Sequence, residues 1–304
     1  MSGNVVAPFF SVVIPTYNRS GLVMDTLQSV FNQTFENFEL LLVDDGSTDD
    51  TEAVVSNITD ARFRYFKKNN QERGAARNFG VLQAKGKYIT FCDSDDLLYP
   101  DYLKNAFETL TKTESEIPWM HLAYEIKRSN LPSIKMSIDP SEYIVTLAKG
   151  NPLSCMGVFV LRNIILNNLF NEDRYLSGSE DWELWVRLAS QYPITIDKRI
   201  SACLIMHEGR SVLTGDELKL QLRKFLSIGY AFDEKSVQVV FAKYRNMMEA
   251  YFDTYISLHL VLDKQNLKAY KYLFKAIAKY PSCVFERRFL AIIKHWSINI
   301  LHFN

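Results

Sequence analysis

The chain has 304 residues, 47% of them hydrophobic and 23% charged, with 35 Lys and Arg set against 35 Asp and Glu. That length can bury a full core plus an appendage, and the zero formal net charge argues against bulk nucleic-acid binding. The charge is unevenly placed: residues 264–304 hold eight Lys/Arg and one acid, so the remainder is acidic by the same margin.

In chain order, Phe9 to Ile14 is a continuous apolar run closed by Pro15-Thr16-Tyr17-Asn18, which predicts a strand and a polar turn. Val23, Leu27, Val30 and Phe31 recur at helical spacing, and Phe38 to Val43 gives a second buried strand that stops at Asp44-Asp45-Gly46-Ser47. Ser47, Thr48 and Asp49 offer N-caps for a short helix, and Arg62 to Phe66 is a third strand. Residues 72–85 place Ala75, Ala76, Phe79 and Leu82 on one helical face, with Gly86 as the stop. Tyr88 to Cys92 is a fourth strand, and it runs into Asp93, Asp95 and Asp96.

Beyond Pro100, a helix bearing Leu103, Phe107 and Leu110 leads to a strand near Trp119–Ile126 and an irregular stretch over 127–140. Cys155 to Leu161 reads as a strand, Gly178-Ser179-Glu180-Asp181 opens a helix with Trp182, Trp185 and Leu188 inward, and a strand near Cys203–Met206 meets His207. From Asp216 the pattern is helical. The alternation over residues 9–92 calls for an α/β fold with a mostly parallel sheet flanked by helices and a ligand crevice at the carboxyl ends of its strands.

Those strand ends carry the polar groups. Carboxylates crowded at the mouth of a buried strand repel one another unless a cation joins them, and hard oxygen ligands on one short turn suit Mg or Mn. The plainer reading of Asp93–Asp96 is a polar loop that starts a helix. Asp44 and Asp45 end the second strand, where an acid can accept from a base or ribose or simply begin a turn. Arg73 and Arg77 stand at helical spacing and suit a diphosphate or a solvated face. Glu180 and Asp181 fall in a first helical turn, where the macrodipole favours any acid, and His207 at a strand end suits either packing or ligation. No Gly-x-Gly-x-x-Gly turn follows the first strand and no Gly-x-x-x-x-Gly-Lys loop exists, so dinucleotide dehydrogenases and P-loop enzymes lose their defining feature.

Val12-Val13-Ile14-Pro15-Thr16-Tyr17-Asn18-Arg19, Val43-Asp44-Asp45-Gly46-Ser47-Thr48-Asp49, Ala76-Arg77-Asn78, Asp93-Ser94-Asp95-Asp96, Glu180-Asp181-Trp182 and His207 together resemble the ordered motif set of family 2 glycosyltransferases with the GT-A fold. The match spans residues 10 to about 212. The resemblance implies donor binding by Pro15, Tyr17, Asn18, Asp45, Arg77 and Asp93, a divalent metal ion (Mn or Mg) on Asp95 with His207, and Asp181 as catalytic base. Asp44, Asp96 and Glu180 are supporting candidates. Met206-His207-Glu208 departs from the commoner Arg-x-His form of the family. The Gln-x-x-Arg-Trp motif of processive synthases is absent.

The expected enzyme is a non-processive, inverting transferase. It would move a hexosyl or N-acetylhexosaminyl group from a UDP-sugar to a saccharide or lipid-linked saccharide in bacterial surface polysaccharide or lipopolysaccharide synthesis. Residues 1–215 would be the catalytic domain, with a nucleotide-binding half at about 8–100 and an acceptor half at about 101–215, and residues 216–304 a helical region. A nucleotidyltransferase of sugar-nucleotide metabolism and a catalytically silent nucleotide-binding subunit are the alternatives from other classes.

Cys92, Cys155, Cys203 and Cys283 form no Cys-x-x-Cys pair, which fits a reducing compartment and no zinc site. Residues 1–18 lack charge but are interrupted by Pro8, Pro15 and Asn18, unlike a signal peptide, and nothing approaches the roughly twenty apolar residues of a membrane span. A cytoplasmic location is expected. In the basic end, Lys268, Lys271, Lys275 and Lys279 line one side of a helix, and Phe285, Phe289, Ile292, Trp296, Ile300 and Phe303 form an apolar stripe. The stripe suits packing on the catalytic domain, homodimerisation, or peripheral contact with the inner face of the cell membrane.

Overall fold

The structure is a computed structural model that describes residues 7–129, 131–207 and 216–301. The expected domain boundary at 215, Glu208 and Phe303 lie outside these residues. The elements are β1 (Phe10–Thr16), α1 (Val23–Phe31), β2 (Phe38–Asp44), α2 (Thr51–Val55), β3 (Phe63–Lys67), α3 (Glu72–Gln83), β4 (Tyr88–Phe91), β5 (Leu97–Leu98) and α4 (Tyr102–Leu110). There follow β6 (Trp119–Arg128), β7 (Leu131–Met136), α5 (Tyr143–Ala148), β8 (Val158–Leu161), α6 (Arg162–Leu166), α7 (Glu180–Gln191) and β9 (Ile194–Ile205). Five helices close the chain: α8 (Glu217–Asp233), α9 (Lys235–Phe241), α10 (Arg245–Leu262), α11 (Asn266–Lys279) and α12 (Arg287–Leu301).

The described residues within Met1–Ser141, Pro152–Arg174 and Tyr192–Glu208 form one compact unit, and those within Glu142–Asn151, Tyr175–Gln191 and Gly209–Asn304 a second. The first unit holds a nine-stranded sheet in the order β3-β2-β1-β4-β8-β6-β9-β5, with β7 paired to β6. Strands β3, β2, β1 and β4 are parallel, as the alternating pattern predicts, and every residue of β1 and β2 is buried. Beyond β4 the sheet is mixed, with β8 antiparallel to both β4 and β6, and β9 parallel to β6.

The register does the positioning. Thr16 lies beside Asp44, Asp44 beside Lys67, and Val13 beside Phe91, so these strands finish at one edge of the sheet. At the opposite end, Phe9, Phe10, Phe35 and Phe107 interlock, with ring centroids 4.8 Å apart for Phe9–Phe10, Phe9–Phe107 and Phe35–Phe107. Aromatic pairs of this kind contribute about 0.5–1.5 kcal/mol each beyond the area they bury.

Several expectations need adjustment. The stretch expected to be irregular contains β7, and β5 went unforeseen. The run from Cys155 begins as a single 3-10 turn, with the strand starting at Val158. Leu82 is exposed, and α3 instead buries Ala75, Ala76, Arg77, Asn78, Gly80 and Val81. Gly86 does not cap α3, which ends at Gln83; a Cβ there would lie 2.5 Å from the backbone nitrogen of Ser11, so this glycine permits close approach of β1. None of Ser47, Thr48 and Asp49 is the N-cap of α2, a position held by Asp50.

In the second unit, Leu220, Ile256, Leu260, Tyr272, Leu273 and Ile292 form one core, with Phe289 and Trp296 packed on it, so Phe289, Ile292 and Trp296 of the apolar stripe are used within this unit. Phe285 remains exposed. The lysine row is not uniformly solvated: Lys268 lies 3.4 Å from Glu217, Lys275 stands over the Tyr272 ring, and Lys279 lies 2.7 Å from Glu249. Among the described residues, no helix is long and apolar enough to cross a membrane.

One buried group makes this fold sensitive to acid. His121 on β6 is fully buried, neither ring nitrogen has a hydrogen-bond partner among the described residues, and burial holds its pKa down from 6.5 to about 3. Below pH 6.5 the unfolded chain takes up a proton that the folded chain refuses, so this contribution is complete above that pH and fades as pH falls toward 3. Each pH unit in that window costs about 1.4 kcal/mol. Urea unfolding at pH 6.5 and 4.5 is therefore expected to show a loss roughly 2–3 kcal/mol smaller in His121→Leu than in the natural chain. Parallel losses in the two chains would assign the acid sensitivity elsewhere.

Candidate active site

At the carboxyl edge of β1 and β2, two loops are stitched together. Asn18 sits at φ 51, a left-handed conformation that asparagine tolerates better than most residues. From there its backbone N–H donates to Ser47 Oγ (2.9 Å), and its Oδ1 accepts from the Thr48 N–H (2.8 Å). The Ser20 N–H donates to Asp49 Oδ2 at 3.0 Å. Burial opposes ionisation of Asp49, but hydrogen bonds from Thr51 and Ser20 outweigh it and bring the carboxyl down to about 2. Pro15 is buried at the end of β1, and Tyr17 stands 46% exposed beside it.

Asp44 and Asp45 have separate tasks. Asp44 is wholly buried and accepts from the Ser47 N–H (2.7 Å) and from Tyr65 Oη (2.7 Å), so it braces the loop from below. Burial, then this carboxylate, push the Tyr65 phenol well above its ordinary range. Asp45 accepts from Lys68 Nζ (2.7 Å) and from the Gln71 N–H (3.0 Å). Gly46, at φ +82, follows them where a side chain would crowd the backbone: a Cβ there would lie 3.0 Å from the Asn70 nitrogen.

Arg77 projects from α3, 1% exposed, and donates from Nη2 to Asp93 Oδ1 at 2.6 Å. Its guanidinium lies over the Phe170 ring at 5.4 Å, and Asn78 fixes that ring by donating to the Phe170 carbonyl and accepting from the Phe170 N–H, both at 2.9 Å. Arg73 belongs to the same helix but has no comparable burial.

Asp93, Asp95 and Asp96 each offer a carboxylate oxygen within 4.8 Å of the others. Asp95 Oδ2 lies 2.9 Å from His207 Nε2 and 3.7 Å from Arg19 Nε. Asp96, 2% exposed, accepts from the Ile205 N–H at 3.0 Å, which pins the end of β9 two residues before His207. Its backbone carbonyl also accepts from Thr26 Oγ1 at 2.9 Å. The fold thus brings Pro15, Tyr17, Asn18, Asp44, Asp45, Arg77, Asp93, Asp95, Asp96 and His207 to one sheet edge of the first unit. An all-oxygen triad suits a hard divalent ion such as Mg or Mn.

Glu180 and Asp181 belong to the second unit, at the start of α7. Glu180 is 3% exposed and its Oε2 accepts from the Gly178 N–H at 2.6 Å, which shapes the turn into the helix. Asp181 Oδ2 accepts from Asn151 Nδ2 at 2.8 Å, and Oδ1 from the Trp182 N–H at 2.8 Å. Sequence reasoning gave no role to Arg19, Asn78 or Asn151. The first two lie inside the motifs quoted for the resemblance, whereas Asn151 carries no local signal and is found only because the chain returns to it 30 residues later.

A family model described as Glycosyl transferase family 2 matches residues 11–165, half of the chain. An uncharacterized glycosyltransferase of Rickettsia felis is 36% identical over 196 residues, covering 63% of this chain and 32% of that protein. The chain spans about a third or less of the length of the first Rickettsia relatives it matches. The Escherichia coli protein named UDP-Glc:alpha-D-GlcNAc-diphosphoundecaprenol beta-1,3-glucosyltransferase WfaP is 31% identical over 183 residues, 60% of this chain and 70% of that one. Among solved structures, S. aureus TarS 1-349 in complex with UDP-GlcNAc is similar with a TM-score of 0.65 at 18% identity, covering 90% of this chain and 91% of that one. That likeness establishes the fold alone, the GT-A type. With the family model matched across the segment that contains Asp45, Arg77 and Asp95, the chain belongs to glycosyl transferase family 2.

Proposed function

We propose that the chain is an inverting glycosyltransferase that moves a sugar from a nucleoside-diphosphate sugar, most simply a UDP-sugar, to a lipid-linked saccharide acceptor in surface polysaccharide synthesis. The observation that carries this reading is the convergence of Asp45, the Arg77–Asp93 pair and the Asp95–His207 pair on one edge of the mixed sheet. TarS, solved with UDP-GlcNAc, supports the donor class, and the name of WfaP supports the acceptor class.

Each residue has a task in this scheme. The half-exposed Tyr17 ring offers a stacking face for a nucleobase, and Asp45 offers an acceptor for its N–H. Arg77 holds Asp93 in place and supplies positive charge where a diphosphate would lie. Asp95, with Asp93 and Asp96 beside it and His207 against it, would hold a divalent ion, Mn or Mg. Such an ion, when bound, stabilises negative charge on the departing diphosphate. Asp181 takes the proton of the acceptor hydroxyl as that oxygen attacks the anomeric carbon, and Asn151 fixes the orientation of its carboxylate. A single displacement inverts that centre.

The basic end supplies a location. Leu267, Phe274, Phe285 and Leu290 are 60–87% exposed in a region rich in Lys and Arg. We infer a cytoplasmic enzyme resting peripherally on the anionic inner face of the membrane, where a lipid-linked acceptor would be presented. Each lysine near such a surface contributes about 1 kcal/mol.

Purified protein incubated with Mn and a panel of UDP-, GDP- and dTDP-sugars is expected to release UDP from a UDP-sugar. Pyrophosphate as product would instead indicate nucleotidyl transfer. Asp95→Ala is expected to abolish transfer and weaken metal-dependent donor binding, and unchanged turnover would end the metal assignment. Asp181→Asn is expected to keep donor affinity but lose roughly 10²–10⁴-fold in turnover, the usual worth of a general base. An equal loss of donor binding would move Asp181 to the donor site.

For the membrane reading, truncation before α11 would strip part of the Leu260–Leu273–Ile292 core, so surface charge reversal is the cleaner probe. The natural chain is expected to sediment with anionic vesicles at low salt and to be released at high salt, and Lys271→Glu with Lys275→Glu to bind weakly at both. Retention in the supernatant at low salt would refute membrane contact, and a dimer found in that case by ultracentrifugation would assign the exposed residues to a second copy.

A further inference from the structure

The second unit encloses a cavity of about 250 Å³ between the turn after α5, the start of α7, α10 and the first turn of α12. Trp182, Tyr251, Phe252 and Tyr255 give it aromatic walls, with Trp182 and Phe252 meeting edge to face at 5.0 Å. Gly150 (φ +147) and Gly178 (φ +92) also line it, in conformations that side-chain-bearing residues rarely adopt. Asn151 lines it too, and that residue holds Asp181 Oδ2 at 2.8 Å, so the cavity adjoins the proposed base.

Arg288 lines this cavity and Arg223 lies behind Gly178, one of its lining residues; neither makes a direct ion pair with a carboxylate among the described residues. Arg288 reaches in from the first turn of α12, the helix end at which the macrodipole disfavours positive charge. Its Nη1 donates to the Tyr251 carbonyl (3.0 Å), and its guanidinium lies 5.8 Å from the Tyr255 ring centroid. The neighbouring acid, Glu286, attracts Arg288 at longer range but is hydrogen-bonded to Lys149 at 2.8 Å. Arg223 is 9% exposed, with Nε and Nη1 making no hydrogen bond among the described residues, and a Cβ on Gly178 would lie 3.3 Å from this guanidinium. Buried cations are ordinarily paired, because desolvating an unpaired charge is expensive. Arg288 at this aromatic-walled opening, with the Arg223 guanidinium behind Gly178, would be matched by an anionic ligand.

We propose that this cavity is the acceptor subsite and that Arg288, with Arg223 behind Gly178, binds a phosphate group carried by the acceptor saccharide. The inference rests on the glycosyltransferase reading and adds the chemistry by which its acceptor is recognised. Guanidinium presents planar paired donors that match phosphate oxygens, and aromatic walls suit the C–H faces of a sugar ring. The phosphate is either the anomeric link to a lipid carrier or a substituent elsewhere on the sugar.

Calorimetric titration of the full chain would use α-N-acetylglucosamine 1-phosphate, N-acetylglucosamine 6-phosphate and neutral N-acetylglucosamine. EDTA is included, so that the acidic triad, without a metal, repels phosphate. At least one phosphorylated sugar is expected to bind roughly 10-fold or more tighter than the neutral one, with Arg288→Gln erasing the preference and Arg288→Lys keeping part of it. Preference for the 1-phosphate assigns the carrier link, and preference for the 6-phosphate assigns a ring substituent. Equal binding of neutral and phosphorylated sugars, or a preference that survives Arg288→Gln, overturns the proposal. Should Arg288→Gln fail to fold, Arg223→Gln replaces it under the same criteria. A parallel titration with UDP and Mn separates the two ideas: a chain that binds UDP without preferring phosphorylated sugars refutes this subsite alone, whereas a chain that binds no nucleotide refutes the donor reading.

Discussion

Carboxylates gathered at the end of a buried sheet repel one another, and in the first unit the chain answers each with a cation or a donor from another element. Asp45 receives Lys68, Asp93 receives Arg77, and Asp95 receives His207 and Arg19. Asp44 and Asp96 are handled differently, through the Tyr65 hydroxyl and the Ile205 N–H. The parallel direction of β1, β2 and β4 favours the crowding, since it brings three strand ends to one side of the sheet. The partners come from α3, β9 and the loops, so the arrangement of charge fixes where those elements must lie as well as what the site can bind.

The division between exposed and buried acids follows from the same geometry. Asp44 and Asp96 are sunk below the surface and hold loops, while Asp93 and Asp95 stand higher, with side-chain exposures of 34% and 10%. A pair of adjacent aspartates thus supplies one residue to the scaffold and one to the site. Lone acids in such a turn could do only one of these things.

How much of this the sequence discloses depends on the range of the interaction. The parallel half was legible because β1, β2 and β4 are predominantly apolar runs ending at polar turns, a signal that local sequence carries. β5 was not, because two residues have no period, and β7 was not, because most of its residues are exposed and lack an apolar alternation. Gly86 illustrates a subtler limit: its position after a helix suggests a cap, but its absent side chain serves contact with Ser11, 75 residues earlier. The candidate site residues were singled out through motif order. What escaped was the support given by distant partners, such as Asn151 to Asp181 and Ile205 to Asp96.

The sheet's order has a consequence for how the protein comes into being. β9 enters between β6 and β5, so the first unit stays open until residue 205 has left the ribosome, long after the acids of the 93–96 turn have emerged. Until then Asp96 lacks the N–H that it accepts from, and Asp95 lacks the imidazole two residues further on. A nascent chain therefore carries an incomplete acidic turn through more than a hundred residues of synthesis. The segment that closes the sheet is thus also the one that brings Asp95 and Asp96 their partners, which ties the completeness of the site to that of the fold around it.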